Sequence, residues 1–126
     1  MRLRTEVSRK NPYYISRHRF LELKHFCAQY PEWRELYFLA KTQTMGEEKD
    51  PTGFYASVMA DCQKNMELVR RVSHAVDKVI GPYIFLHVTR GDSFDKLLAC
   101  DGIPCCRESF YIFLRQFYHN LSMEKS

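Results

Sequence analysis

Residues 55–80 read YASVMADCQKNMELVRRVSHAVDKVI and carry the clearest periodic signal in the chain. Steps of three and four residues alternate along Met59, Cys62, Met66, Val69, Ser73, Val76 and Ile80, with Val58, Val72 and Val79 beside them. This spacing predicts a long central helix with a broad apolar stripe. Ser73 interrupts the stripe, which favours a buried core helix over a coiled-coil dimer seam. We expect Gly81 to end the helix in a left-handed conformation, with Pro82 blocking its continuation.

Two helices are predicted on the N-terminal side. Ser16 is a suitable cap for the first, over about 17–30, whose apolar face carries Phe20, Leu23, Cys27 and Tyr30. Pro31 suits the first position of the second, which turns inward Trp33, Leu36, Tyr37 and Ala40. Residues 44–53, TMGEEKDPTG, have the composition of a loop.

Three helices are predicted after Pro82. The first covers about 83–90 and is closed by Gly91. Ser93 caps the second, FDKLLAC, which Gly102 ends, and the third covers about 105–121. A short helix, a turn containing glycine and a longer helix together form the arrangement of a helix-turn-helix.

The predicted fold class is therefore all-α, a helical domain with a long central helix and a C-terminal helix-turn-helix unit. The chain has 126 residues, of which 45% are hydrophobic, and this is enough to bury the core of a single domain. Within residues 1–126 we expect a basic arm over 1–15, a helical part over 16–81 and a helix-turn-helix-like part over 82–126.

Basic charge is concentrated at the N-terminus. The net charge is +4, and residues 1–30 carry seven Lys/Arg against two Asp/Glu, whereas residues 82–126 carry five of each. Basic side chains near Tyr13, Tyr14 and Phe20 suit a nucleic-acid backbone. The candidate DNA-binding residues here are Arg2, Arg4, Arg9, Lys10, Arg17 and Arg19. A solvated basic arm, with Tyr13 and Phe20 packed inward, is the alternative.

The last helix has an apolar face and a mixed face. Advancing 100° per residue from Phe110, the core arc holds Cys106, Phe110, Phe113, Leu114, Phe117 and Leu121. Donors suited to bases and phosphates make the DNA-binding candidates Arg107, Ser109, Tyr111, Arg115 and Gln116. The same side also fits a protein partner, because Tyr and Arg dominate protein interfaces, and the candidate residues are then Tyr111, Ile112, Tyr118 and His119.

The cysteines and the absence of catalytic motifs exclude several functions. Cys100, Cys105 and Cys106 form one knuckle, whereas structural zinc sites use two, and His119 points away from Cys106. We therefore expect no metal and treat Cys106 as a buried thiol. No phosphate-binding glycine loop, HExxH motif or nucleophile elbow occurs, so we expect neither an enzyme nor a cofactor.

The sequence also indicates where the protein works. The residues after Met1 contain no apolar run, and apolar runs elsewhere, such as YIFL at 83–86, are too short for a membrane helix. Five cysteines without a secretory signal favour reduced thiols. We therefore expect a cytoplasmic protein with no membrane partner.

Three segments carry a family resemblance. NPYYISRHRFLELKHFCAQYPEW (11–33), DPTG (50–53) and GIPCCRESFYIFLRQFYHNL (102–121) resemble small phage and prophage proteins of Gram-positive bacteria. These proteins are similar to the ArpU/RinA-type phage transcriptional regulators, which are helical and end in a helix-turn-helix like that of sigma-factor region 4. The resemblance implies that residues 94–100 form the first helix of this motif and residues 106–121 the recognition helix, inside a bacterial host cell.

Two functions follow from the sequence. The first is a phage-type DNA-binding transcriptional regulator whose partner is double-stranded DNA, and the resemblance favours it. The second is a protein-binding inhibitor of a host defence system, anti-CRISPR-like and encoded by a mobile element, and the neutral charge of residues 82–126 favours it. Both are compatible with an oligomer.

Overall fold

The computed structural model describes residues 12–45, 50 and 52–125. These residues form no strand, and their six helices are α1 (Arg17–Ala28), α2 (Tyr30–Thr44), α3 (Phe54–Val76), α4 (Gly81–Arg90), α5 (Phe94–Asp101) and α6 (Arg107–Glu124). The prediction of an all-α fold is confirmed for these residues, and α3, with 23 residues, is the longest of the six helices.

Helices α1 and α2 form one bent helical segment. Ser16 caps α1 as predicted, because its hydroxyl accepts a 3.2 Å hydrogen bond from the backbone N–H of Arg19. Only Gln29 separates α1 from α2, and its backbone is itself right-handed helical (φ −77°, ψ −6°). Pro31 lies in the first turn of α2, where its missing N–H leaves no hydrogen bond unmade. The second helix therefore begins at Tyr30, one residue before the predicted start.

Helices α2 and α3 pack antiparallel. Tyr30, at the start of α2, and His74, near the end of α3, both contact the ring of Phe85, with centroid distances of 5.0 and 6.0 Å. Farther along, Gln63 donates a 3.4 Å hydrogen bond to the hydroxyl of Tyr37. The start of α2 therefore lies beside the end of α3, and α4 covers that end of the pair.

The end of α3 differs from the prediction. The helix stops at Val76 because the backbone of Asp77 is extended (φ −160°, ψ 140°). The carboxylate of Asp77 accepts hydrogen bonds from the N–H groups of Val79 (2.9 Å) and Ile80 (2.8 Å). An aspartate side chain that bonds the following backbone in this way competes with helix continuation. Residues 77–80 are consequently a turn, and Val79 is exposed instead of lining the stripe.

Gly81 does not end a helix in the left-handed conformation, so this prediction was wrong. It is the first residue of α4, and its backbone φ is not positive. A Cβ placed on Gly81 would lie 2.7 Å from the carbonyl oxygen of Ser73 and 2.8 Å from the Cα of His74. Glycine is therefore required here because the backbone of α4 touches the backbone of α3.

The predicted ends of the shorter helices are confirmed. Gly91 (φ 74°) closes α4 and Gly102 (φ 62°) closes α5, both in the left-handed conformation. The hydroxyl of Ser93 accepts a 3.1 Å hydrogen bond from the N–H of Lys96 and caps α5. The last helix begins at residue 107 and extends to residue 124, beyond its predicted end.

One hydrophobic core joins all six helices. Its fully buried side chains include Leu23, Cys27, Val69, Ile84, Leu97, Phe110, Phe117 and Leu121. The prediction that Leu36 points inward was wrong, since it is exposed, whereas Trp33 and Ala40 of the same helix are buried. No helix in the described ranges is long and apolar enough to span a membrane.

Candidate nucleic-acid interface

Helices α5 and α6 are joined by a short turn over residues 102–106. Ile103 is buried in this turn, and its N–H donates a 3.3 Å hydrogen bond to the carbonyl of Leu97. The rings of Phe94 in α5 and Phe110 in α6 meet with a centroid distance of 5.6 Å, and both are buried. These contacts fix the start of α6 relative to α5.

Arg107 opens α6 and is held in place by α5. Its guanidinium forms an ion pair with the carboxylate of Asp95 and lies over the ring of Phe94, 5.0 Å from the centroid. Even so, 47% of the Arg107 side chain is exposed. A guanidinium has five N–H donors, so the pair with Asp95 leaves several of them directed to solvent.

The other polar candidates of α6 are less exposed than Arg107. Ser109, Arg115 and Gln116 are half-buried, and Ser109 accepts a hydrogen bond from the thiol of Cys106. Within the described part of the chain, the side chains of Arg115 and Gln116 make no hydrogen bond or ion pair. Glu108 and Ile112 are exposed on the same side of the helix.

Tyr111 of α6 borders both the solvent and a cleft in the protein surface. It is half-buried and packs edge-on against Phe110, with a centroid distance of 5.4 Å. Its side chain also lines a cleft formed by α1, the α4–α5 loop and α6. This candidate therefore faces the cleft as well as the solvent-exposed side of α6.

The C-terminal half of the predicted protein interface is covered. Tyr118 was expected to be exposed, but it is 3% exposed and packs edge-to-face on Phe20 of α1, with a centroid distance of 5.0 Å. Burial raises the pKa of Tyr118. His119 is half-buried against Tyr13 (5.7 Å between ring centroids), and its Nδ1 lies 3.4 Å from the carbonyl oxygen of Tyr14. The prediction failed for Tyr118 because α1 packs on this side of α6.

The basic candidates of the N-terminus divide into three groups. Arg17 is exposed at the start of α1. Arg19 instead ties α1 to the end of α6, since it donates hydrogen bonds to the hydroxyl (3.0 Å) and the carbonyl (3.2 Å) of Ser122 and pairs with Glu22. Outside the described residues lie the remaining candidates Arg2, Arg4, Arg9 and Lys10.

Cys106 is exposed, so the prediction of a buried thiol was wrong. It is the N-cap residue of α6 with an extended backbone (φ −81°, ψ 165°), and helical spacing from Phe110 therefore does not give its direction. Hydrogen bonds that Ser109 donates to the Cys106 thiolate lower the pKa of this cysteine, whereas burial raises the pKa of Cys105. Among the described residues, no group of three or more His, Cys, Asp or Glu side chains is arranged to hold a metal ion.

Sequence reasoning missed the polar residues of the cleft beside Tyr111. They are Lys24 of α1, His87 and Arg90 of α4, Asp92 of the α4–α5 loop and Lys96 of α5. The Nδ1 of His87 lies 2.7 Å from the carbonyl oxygen of Asp92, and burial lowers the pKa of this histidine. The sequence carried a partial signal, since Asp92 stands two residues after Arg90 and four before Lys96, but no local signal shows the approach of α1 that completes the cleft.

Comparison with protein-family models, with curated proteins and with solved structures finds no match for this chain. Functional inference therefore rests on the chemistry and geometry of the residues described above.

Proposed function

We propose that the protein is a DNA-binding transcriptional regulator of the phage or prophage type, in which α5 and α6 act as a helix-turn-helix. The observation that carries this proposal is the start of α6. Phe110 anchors it in the core and Phe94 of α5 braces it, while Arg107 remains exposed at its tip. A recognition helix docks in the major groove through the residues of its N-terminal half.

The donors of this region suit two kinds of DNA contact. Arg107 is oriented by Asp95 and retains N–H groups for a phosphate or for the O6 and N7 atoms of guanine. Arg115 and Gln116 follow two turns later, and their side-chain donors are not engaged by described residues. Gln pairs with adenine and Arg with guanine, so these two side chains, together with Arg107, are the proposed source of base preference.

Phosphate contacts are assigned to Arg17 at the start of α1 and to the basic residues Arg2, Arg4, Arg9 and Lys10. The +5 charge of residues 1–30 supplies the attraction that the neutral α5–α6 region lacks. Base contacts and phosphate contacts therefore come from different parts of the chain, which makes them separable by mutation.

Fluorescence anisotropy with labelled duplex DNA at two salt concentrations tests the proposal. Replacing Arg2, Arg4, Arg9 and Lys10 with Ala should weaken all sequences alike and flatten the salt dependence. Arg115→Ala should instead cost about 1–3 kcal/mol on a selected site and little on random duplex. Lys64→Ala, on the exposed surface of α3, is the matched control and should change neither. Absence of duplex binding even at low salt would falsify the proposal.

A second candidate function is a protein-binding inhibitor of a host defence system. Exposed Ile112, beside half-buried Tyr111 on a neutral surface, supports it, because apolar and aromatic side chains anchor protein interfaces. The burial of Tyr118 and the contact of His119 with Tyr13 leave this surface smaller than the four residues predicted.

Ile112→Arg separates the two candidates. A regulator should keep or strengthen its duplex binding, because the substitution adds a positive charge to the face directed at DNA. An inhibitor should lose its partner, because a guanidinium replaces an apolar contact. Duplex binding that falls to background in Ile112→Arg would contradict the assignment of this face to DNA.

A further inference from the structure

A cleft of about 900 Å³ opens between α1, the α4–α5 loop and α6. Its volume lies within the range of small-molecule sites. Buried Val88, Leu114 and Tyr118 contribute apolar surface to its lining, and half-buried Phe20 and Tyr111 add aromatic rings. Among the described DNA-binding candidates of α6, which are Arg107, Ser109, Tyr111, Arg115 and Gln116, Tyr111 alone lines it.

A buried carboxylate organises the cations at this cleft. Asp92 is only 3% exposed, and its Oδ1 accepts a 3.0 Å hydrogen bond from the ammonium of Lys96. Its Oδ2 lies 3.5 Å from Nη2 of Arg90 but has no hydrogen-bond partner among the described residues. Both carboxylate oxygens therefore lie within ion-pair distance of a cation, and Asp92 fixes the positions of Arg90 and Lys96 at the cleft.

The same arrangement leaves positive charge directed outward. The side chains of Arg90 and Lys96 are 56% and 52% exposed although both pair with Asp92. Lys24 of α1 is exposed and also lines the cleft, and it forms no ion pair with any described residue. Three cations against one buried carboxylate give the cleft an excess of positive charge, which favours an anion.

Aromatic rings supply the second recognition element. Phe20 packs edge-to-face on Tyr118, and Tyr111 packs edge-to-face on Phe110. Aromatic side chains in such a lining favour a planar ring system in the ligand, because stacking on them does not depend on one hydrogen-bond pattern.

We propose that this cleft binds a small phosphorylated ligand with a planar ring, of the nucleotide class. The phosphate contacts Lys24, Arg90 and Lys96, and the ring packs against Phe20 and Tyr111. Asp92 is a positioning residue, because it holds Arg90 and Lys96 beside one another. This site shares Tyr111 with the predicted DNA-binding residues of α6, and it does not depend on the proposed function.

Isothermal titration calorimetry with the full chain tests the proposal. The probes are the 5′-monophosphates of adenosine, guanosine, cytidine and uridine, with the four unphosphorylated nucleosides and inorganic phosphate as comparisons. We expect one molecule of at least one nucleotide to bind per chain with a Kd of about 100 μM or lower, and its nucleoside and inorganic phosphate to bind at least about tenfold more weakly. If none of the four nucleotides binds at millimolar concentration, the proposal is wrong.

Two charge reversals locate the site. Lys24→Glu should weaken nucleotide binding at least about tenfold, because it places a carboxylate beside the phosphate. Lys64→Glu makes the same charge change on α3, outside the cleft, and should leave the affinity within about twofold. Equal losses in both variants would show attraction to overall charge and overturn the assignment.

Measuring duplex DNA binding of the same variants distinguishes this proposal from the proposed regulator function. Nucleotide binding that is lost in Lys24→Glu while duplex binding persists supports a separate ligand site. A loss of duplex binding in Lys24→Glu, without nucleotide binding in the parent chain, would reassign these cations to the DNA backbone and overturn the nucleotide site. Nucleotide binding without any duplex binding would leave the cleft standing and remove the regulator.

Discussion

Gly81→Ala should destabilise the protein, although alanine is the better helix former. The added Cβ would lie 2.7 Å from the carbonyl oxygen of Ser73, 2.8 Å from the Cα of His74 and 3.2 Å from its carbonyl oxygen. Carbon atoms prefer separations of about 3.5–4.0 Å, so α3 and α4 would have to move apart by roughly 0.7 Å or more. The obstacle is backbone, so no rotation of a side chain relieves it.

The expected loss in the free energy of unfolding is that of a side chain inserted into a fully packed core. Such insertions typically cost about 1–3 kcal/mol, and the higher end applies here because two backbone segments must separate. Alanine also precedes Pro82 in this variant, and a Cβ disfavours helical backbone before proline. At about 4 °C per kcal/mol, a loss of roughly 2–3 kcal/mol lowers the Tm by about 8–12 °C.

Thermal unfolding followed by circular dichroism measures this change. The Pro82→Ala background separates the two causes, because it removes the restriction before proline and leaves the contact with Ser73 and His74. We expect Gly81→Ala to lower the Tm in the Pro82→Ala background by most of the amount by which it lowers the Tm of the parent chain. A Tm within about 2 °C of the parent in both backgrounds would refute the close approach of α3 and α4.

Three further outcomes follow from buried and exposed side chains. Tyr118→Ala should cost about 3–5 kcal/mol in urea unfolding, whereas Ile112→Ala should stay within about 0.5 kcal/mol, and equal values would contradict the packing of α1 on α6. Burial lowers the pKa of His87 below the unfolded value of about 6.5, so stability should fall as the pH drops below 6.5, and the fall should be smaller in His87→Gln. Iodoacetamide should modify exposed Cys106 well before Cys27, whose pKa burial raises to about 12, and peptide mass spectrometry detects the order.

Local signals made most of the fold predictable. The apolar period of residues 55–80 predicted α3, and Ser16 and Ser93 predicted the starts of α1 and α5, because a cap depends only on residues within one turn. Gly91 and Gly102 predicted helix ends for the same reason.

Errors arose where a nonlocal contact or a competing side chain decides the structure. The apolar period continues to Ile80, but the carboxylate of Asp77 ends α3 earlier. The local sequence around Gly81 also does not show that its backbone packs against the end of α3. Tyr118 has the same polar hydroxyl as exposed Tyr14, and the packing of Phe20 from α1 makes it part of the core. The cleft was missed because it exists only when α1 approaches the α4–α5 loop.

The balanced charge of residues 82–126 is a poor guide to what this region attracts. Two of its five carboxylates hold three of its five cations, since Asp92 pairs with Arg90 and Lys96 and Asp95 pairs with Arg107. Each of these cations has more donors than its carboxylate engages, and each is about half exposed. Asp92 is buried beneath its partners, so an approaching phosphate meets their N–H groups before it meets the carboxylate. At the cleft, ion pairing therefore fixes Arg90 and Lys96 in place without withdrawing them from an anionic ligand, and a neutral net charge of residues 82–126 is compatible with phosphate recognition there.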